Sequence, residues 1–226
     1  MYDIIFICNN EPNSEENWKK LVNRFSLAKK ISNIKGIHQA HQAAAKAAFT
    51  KMFWVVDGDA TILDSFNFDY VVPEYDLDCV HIFHSKNPIN DLVYGYGAVK
   101  LLPKKQTLNV DVTTLDMTTS INDKIKIIEQ ISNITNFNTD KFSTWRSAFR
   151  EGVKLTLNVL NKKDNDESLK RLNSWCNFGH DRPFGKFSIK GATEGKNYAL
   201  AYQNDADKLK LINNFDWLRE KFTDLE

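Results

Sequence analysis

Cysteine, long apolar runs and net charge are all scarce in this chain, and each shortage excludes something. Cys8, Cys79 and Cys176 are the three cysteines in 226 residues, and they lie far apart. That spacing forms no zinc pattern and no even disulfide framework, so free thiols in a reducing compartment are expected. No apolar run approaches the roughly 20 residues of a membrane span. The opening residues, "MYDIIFICNNEP", lack the basic start and small-residue cleavage site of a secretory signal and read as a strand. These features lead to the expectation of a cytoplasmic protein without membrane attachment.

Net charge is only +1, but one sign is missing locally. From Asn17 to Lys51 there is no Asp or Glu, while Lys19, Lys20, Arg24, Lys29, Lys30, Lys35, Lys46 and Lys51 fall in the window with His38 and His41. Such a window suits a surface that attracts phosphate. It equally suits a solvated helix pair whose acidic partners lie elsewhere in the fold.

What is present is ordinary for a globular protein: 42% hydrophobic and 26% charged residues. The length allows one sizeable domain, or a domain with a helical appendage. "DIIFIC" (3–8) reads as a buried strand, and "SEENWKKLVNRF" (14–25) as an amphipathic helix with acids at its start. "AKKIS" (28–32) reads as an edge strand, "IHQAHQAAAKAAF" (37–49) as an alanine-rich helix and "MFWVVD" as a third strand. This β-α-β-α-β order predicts an α/β fold with a sheet flanked by helices.

Further on, "DCVHIFHS" (78–85) reads as a strand, and "LVYGYGAVKLLPKK" (92–105) sets two glycines before a short apolar segment. The segments 141–163, 166–179 and 205–222 carry helical patterns, and 179–199 is glycine-rich, basic and aromatic. The expected organisation is one domain over 1–226, with a nucleotide-binding half to about residue 105 and a mostly helical half from about residue 106.

The candidate chemistry lies in "KMFWVVDGDATILDSF" (51–66), where an apolar strand runs into Asp57-Gly58-Asp59. Ligands of open α/β sheets gather at the carboxyl ends of strands. Two carboxylates there are hard oxygen ligands suited to Mg²⁺ or Mn²⁺, whose remaining positions go to water and phosphate. Gly58 between them permits a close approach. Asp-Gly is also a turn dipeptide, but a turn needs only one Asp.

Two enzyme classes fit the triplet. "DGDATILDS" is similar to the nucleophile loop of haloacid-dehalogenase-type phosphatases, which would make Asp57 the nucleophile and Asp59 the acid/base. That loop usually sits on a first strand, whereas a β-α-β-α unit precedes it here. The order from the first strand through "IKGIHQAHQAAAKAAFTKMFWVVDGDATI" resembles glycosyltransferases of the GT-A fold over roughly residues 1 to 200. With "DLVYGYGAVKLLPK", "FNTDKFSTWRSAFRE" and "IKGATEGKNYA", the chain is similar to glycosyltransferase-like proteins of T4-like bacteriophages, which are associated with sugars on hydroxymethylated cytosine in DNA.

The resemblance implies a GT-A-like mixed sheet of the nucleotide-diphospho-sugar-transferase type, with a helical C-terminal part. It implies a nucleotide-sugar donor, a UDP-sugar by expectation, and a divalent metal, Mn²⁺ or Mg²⁺. Asn9, Asn10 and Glu11 would meet the base and ribose, and Lys35, His38 and His41 the diphosphate. Asp57, Gly58 and Asp59 would form the metal motif, with His180 as a further ligand; His81 and His84 are equally available by type. The base would be Asp140, at a helix start where it also suits a plain cap, or Glu151 further along that helix.

The implied acceptor is a hydroxyl on 5-hydroxymethylcytosine in double-stranded DNA, in host cytoplasm. Lys100, Lys104, Lys105, Arg146, Arg150, Arg182, Lys186, Lys190 and Lys196 would supply cations for its backbone, and Trp145, Trp175 and Phe184 stacking surfaces. A non-catalytic protein that binds DNA or a partner is a third class.

Overall fold

The structure is a computed structural model, and it describes residues 1–112, 117–162 and 165–223. In chain order the elements are β1 (Asp3–Cys8), α1 (Ser14–Arg24), β2 (Lys29–Ser32), α2 (Ile37–Ala47), β3 (Met52–Asp57), β4 (Ala60–Ile62), β5 (Val80–Lys86), β6 (Val93–Tyr94) and β7 (Val99–Pro103). There follow α3 (Lys104–Leu108), α4 (Met117–Ile121), β8 (Ile125–Thr135), α5 (Lys141–Leu160), α6 (Asn165–Asn177), α7 (Gly185–Tyr202), α8 (Ala206–Lys210) and α9 (Phe215–Thr223). The chain divides into two compact units, one of residues 1–87 and 93–136, the other of residues 88–92 and 137–226.

The first unit holds the sheet, in the order β2-β1-β3-β7-β5-β8-β4, with β6 pairing on β5. β1 runs parallel to β2 and β3, and β7 is antiparallel to both β3 and β5. β5 and β8 pair in parallel, and β4 closes the series antiparallel to β8. This is the mixed-sheet α/β class that the sequence implies, with a helical C-terminal part.

β3 can be apolar at every position from Met52 to Val56 because both of its faces are covered. Met52, Trp54 and Val56 join Ile4, Phe6 and Leu21 of α1 in one layer. There Trp54 meets Phe66, Phe68 and Phe83 with ring centroids 5.7, 5.2 and 4.9 Å away. Phe53 and Val55 face the opposite way, against Ala44, Ala45 and Ala48. The alanine-rich sequence therefore serves packing: short side chains let α2 lie close to the sheet. Gly36 opens α2 at φ +97°, a conformation that side-chain-bearing residues rarely adopt.

The acid-free window largely finds partners outside itself. Lys20 pairs with Glu16, Lys30 with Glu15 and Lys29 with Asp3, while Arg24 donates to the carbonyls of Leu63, Asp64 and Phe66. All four thus find partners elsewhere in the fold, although Lys29 and Lys30 lie on strand β2 rather than on a helix.

The second unit is helical. α5 and α7 pack closely along its length, joined by Trp145 Nε1 donating to Glu194 Oε2 at 2.6 Å. Four features differ from expectation. Residues 185–202, glycine-rich in sequence, form one 18-residue helix. Strands β4 and β8 are additional, and the closing segment divides into α8, a short 3-10 turn and α9. The helix expected over 141–163 ends at Leu160, and Lys163 lies outside the described residues. Among the described residues no helix is long and apolar enough to cross a membrane.

Candidate functional site

The acidic triplet stands at the carboxyl end of β3, beside the end of β1. The polar turn after β1, Asn9-Asn10-Glu11, is therefore its neighbour. Glu11 Oε2 accepts a hydrogen bond from Asn9 N–H at 2.7 Å. A Cβ at Gly58 would lie 2.7 Å from that Glu11 oxygen and 2.8 Å from Cys8 Cβ. Glycine is thus required here by close approach of the two loops.

Backbone and side-chain amides hold the loop in place. Asp57 N–H donates to the Ala98 carbonyl at 2.9 Å, Asn17 Nδ2 to the Gly58 carbonyl at 2.9 Å, and Asn136 N–H to the Asp59 carbonyl at 2.8 Å. Thr61 Oγ1 donates to Asn17 Oδ1 at 2.8 Å and accepts from Asn136 Nδ2 at 2.7 Å. Helix α1, strand β4 and the end of β8 thus converge behind the triplet. A loop whose carbonyls are fixed this way presents its carboxylates with little reorganisation on binding.

Lys100, on β7, is 2% exposed. Its three protons meet three acceptors: Asp57 Oδ1 at 2.9 Å, Asp57 Oδ2 at 3.1 Å and the Gly97 carbonyl at 2.5 Å. A buried ammonium is tolerated only with such full pairing. The Asp57 side chain itself remains 37% exposed, so it is reachable from outside while Lys100 is not.

His41 is buried, and its Nδ1 donates to the Ile37 carbonyl at 2.7 Å, which makes Nε2 an acceptor. Burial and then the nearby Lys100 charge hold its pKa well below the ordinary 6.5. It therefore offers a diphosphate neither positive charge nor a second donor. His38 is also buried, while Lys35, Asn9 and Asn10 are exposed. His81 is fully buried, with contacts to Tyr70 Oη and the Asp76 carbonyl, and burial pushes its pKa down as well.

Both depressed histidines bind a proton more readily once the chain unfolds. Their contribution is therefore complete above the ordinary value of 6.5 and is lost as pH falls below it. The unfolding free energy from urea titration is expected to drop between pH 7.5 and 5.5, by up to about 1.4 kcal/mol per pH unit and histidine below 6.5. His41→Gln combined with His81→Gln should flatten that slope; an unchanged slope would mean that neither histidine is held neutral.

Asp140, Glu151 and His180 belong to the second unit. Asp140 caps α5, accepting from Ser143 N at 2.8 Å and Ser143 Oγ at 2.7 Å. Burial opposes its ionisation, but these bonds and one from Thr139 outweigh burial and hold the carboxyl below its ordinary range. Glu151 lies within α5, and His180 is exposed in the turn before α7. Among the described residues no three His, Cys, Asp or Glu side chains are grouped to hold a metal ion. Asp57 and Asp59 fit a hard divalent ion as a two-carboxylate set that leaves the other positions to water and phosphate oxygens.

Two expectations about DNA contacts are corrected. Trp145 and Trp175 are fully buried and offer no stacking face, since both are spent on the helical core. Lys100 is buried on Asp57 and is no backbone contact. Phe184 remains partly exposed, Lys104 Nζ donates to the Ala48 carbonyl, and Arg182 pairs with Asp91. The role of Lys100 escapes sequence reading because one lysine in "AVKLLP" carries no mark of its partner.

Among solved structures the chain is similar to HddC from Yersinia pseudotuberculosis, with a TM-score of 0.41 and 14% identity over 58% of this chain and 92% of that one. No family model matches the sequence, and no curated protein matches it. A likeness this distant carries no argument about chemistry.

Proposed function

We propose that this chain is a metal-dependent glycosyltransferase of GT-A type that moves a sugar from a nucleotide donor, a UDP-sugar, to a hydroxyl acceptor. The acceptor in this proposal is 5-hydroxymethylcytosine in double-stranded DNA. The observation that carries it is the preorganised Asp57-Gly58-Asp59 loop at the carboxyl end of β3, with two carboxylates on backbone held by hydrogen-bonded amides. The sequence resemblance supplies the donor and acceptor.

In this reading Asp57 and Asp59 hold Mn²⁺ or Mg²⁺, which when bound supplies positive charge to the departing diphosphate. Asn9, Asn10 and Glu11 meet the nucleoside end, and Lys35 and His38 the diphosphate. The acceptor hydroxyl forms a bond to the anomeric carbon as the bond from that carbon to the diphosphate oxygen breaks. A carboxylate takes the hydroxyl proton. Asp140, or Glu151 further along α5, is the candidate for that role.

One observation also suits phosphohydrolysis: Lys100 donates to both Asp57 oxygens and so holds that carboxylate in place, as an attacking Asp would need to be. The test covers both. Hydroxymethylated DNA is incubated with protein, Mn²⁺ and a panel of nucleotide sugars, and the nucleosides are weighed by mass spectrometry. A hexose or pentose increment on the modified cytosine supports transfer. No increment with any donor, together with release of phosphate from an aryl phosphate that Asp57→Asn abolishes, replaces transfer with phosphatase activity.

A further inference from the structure

We propose that Lys100 is a resident counter-cation that makes divalent-metal binding conditional on the nucleotide diphosphate. This inference rests on the metal role proposed for Asp57 and Asp59. Three observations carry it. The Lys100 ammonium is buried, and it spends two of its three protons on the two oxygens of Asp57. The third proton goes to the Gly97 carbonyl, so the ammonium has no spare donor that would draw it elsewhere. Among the described residues no third His, Cys, Asp or Glu completes a metal cage.

The consequence is electrostatic. Of the two loop carboxylates, one already has a full positive charge in contact with both oxygens. A divalent ion arriving alone meets at most one carboxylate that is not neutralised in this way, and it is repelled by the ammonium beneath the other. Lys100 cannot move away easily, because a buried ammonium that loses its anionic partner is left with its desolvation uncompensated. A diphosphate changes the balance by bringing anionic oxygens to the exposed side of Asp57, where they complete the metal shell and offset the ammonium. Metal and nucleotide then bind as a pair, each tightening the other by the same factor, as linkage requires.

Lys100 is in this account a positioning residue. It aims Asp57 from below and sets the charge of the site, and it touches neither ligand.

The experiment counts bound Mn²⁺ by the loss of the free-ion electron paramagnetic resonance signal, with and without UDP. It uses the full chain, Lys100→Met, and Lys100→Gln, which keeps a donor without the charge. In the native chain Mn²⁺ alone should bind weakly, and UDP should tighten it about tenfold or more. Both variants should bind Mn²⁺ alone about tenfold more tightly and lose most of the tightening by UDP. A merely structural lysine would weaken binding on removal.

Native binding of Mn²⁺ that UDP does not alter, or variants that bind Mn²⁺ alone no better, would overturn the inference while leaving the metal role standing. No Mn²⁺ binding by any form, with or without UDP, would overturn the metal role and the inference with it. If Lys100→Met does not fold, Lys100→Gln alone decides.

Discussion

Asp59→Asn should reduce metal-dependent UDP binding on the order of 100-fold, the scale of losing one charged ligand at about 3 kcal/mol. The loop should keep its backbone anchor in this variant, because the Asp59 carbonyl still accepts from Asn136 N–H whatever the side chain. Asp57→Asn should be as damaging to binding but should also destabilise the fold. Its carboxylate is the anionic partner of a buried lysine, and an amide retains the shape without the charge. Loss of a charge-assisted hydrogen bond at such a site costs roughly 2 kcal/mol.

The double variant Asp57→Asn with Lys100→Met should recover most of that stability without recovering binding, since removing both members of a pair leaves no orphaned charge. Isothermal titration with UDP and Mn²⁺, beside urea unfolding, reads both effects. Unchanged UDP affinity in both single variants would remove the metal-site reading. Unchanged stability in Asp57→Asn would remove the ion pair as a structural element.

The acidic loop and the strands before it were legible because their signals are local. An apolar run that ends in two acids marks a covered strand and its functional end, and the β-α-β-α order before it places that end in a sheet. Helices α1 and α2 follow from spacing and composition in the same way.

The rest was hidden because it depends on pairing across long separations. Lys100 meets Asp57 across 43 residues, and Asn136 meets Thr61 across 75. Neither partner alters the local pattern of the other. Strand β8 hides for a related reason: Ile127 and Ile131 are substantially exposed, so the strand shows no clean alternation between a buried and a solvated face. Helix α7 hides because glycine argues against a helix, and only the partner helix explains why Gly191 and Gly195 stand in it.

Gly195→Ala puts that last explanation to a test in which two rules predict opposite signs. By helix propensity alone, alanine should stabilise an interior helical position by about 1 kcal/mol. By packing it should destabilise. A Cβ at Gly195 would lie 2.1 Å from the Phe149 carbonyl oxygen and 2.9 Å from its carbon, and one at Gly191 would lie 2.4 Å from the Trp145 carbonyl oxygen. The contact is reciprocal, since a Cβ at Gly152 of α5 would lie 2.4 Å from the Ala192 carbonyl oxygen of α7. These are backbone atoms of a helix whose side chains Trp145 and Phe149 are fully buried, so neither a rotamer change nor a tilt relieves the clash cheaply. Overpacking should therefore win, with a loss of roughly 3 kcal/mol and a fall in melting temperature of about 10 °C. Asn197→Ala, on the exposed side of the same helix, isolates propensity and should stay within about 0.5 kcal/mol of the native chain. If Gly195→Ala matches or exceeds the native stability, α5 and α7 are not as close as described. The glycines of "SIKGATEGK" would then need another reason to be there.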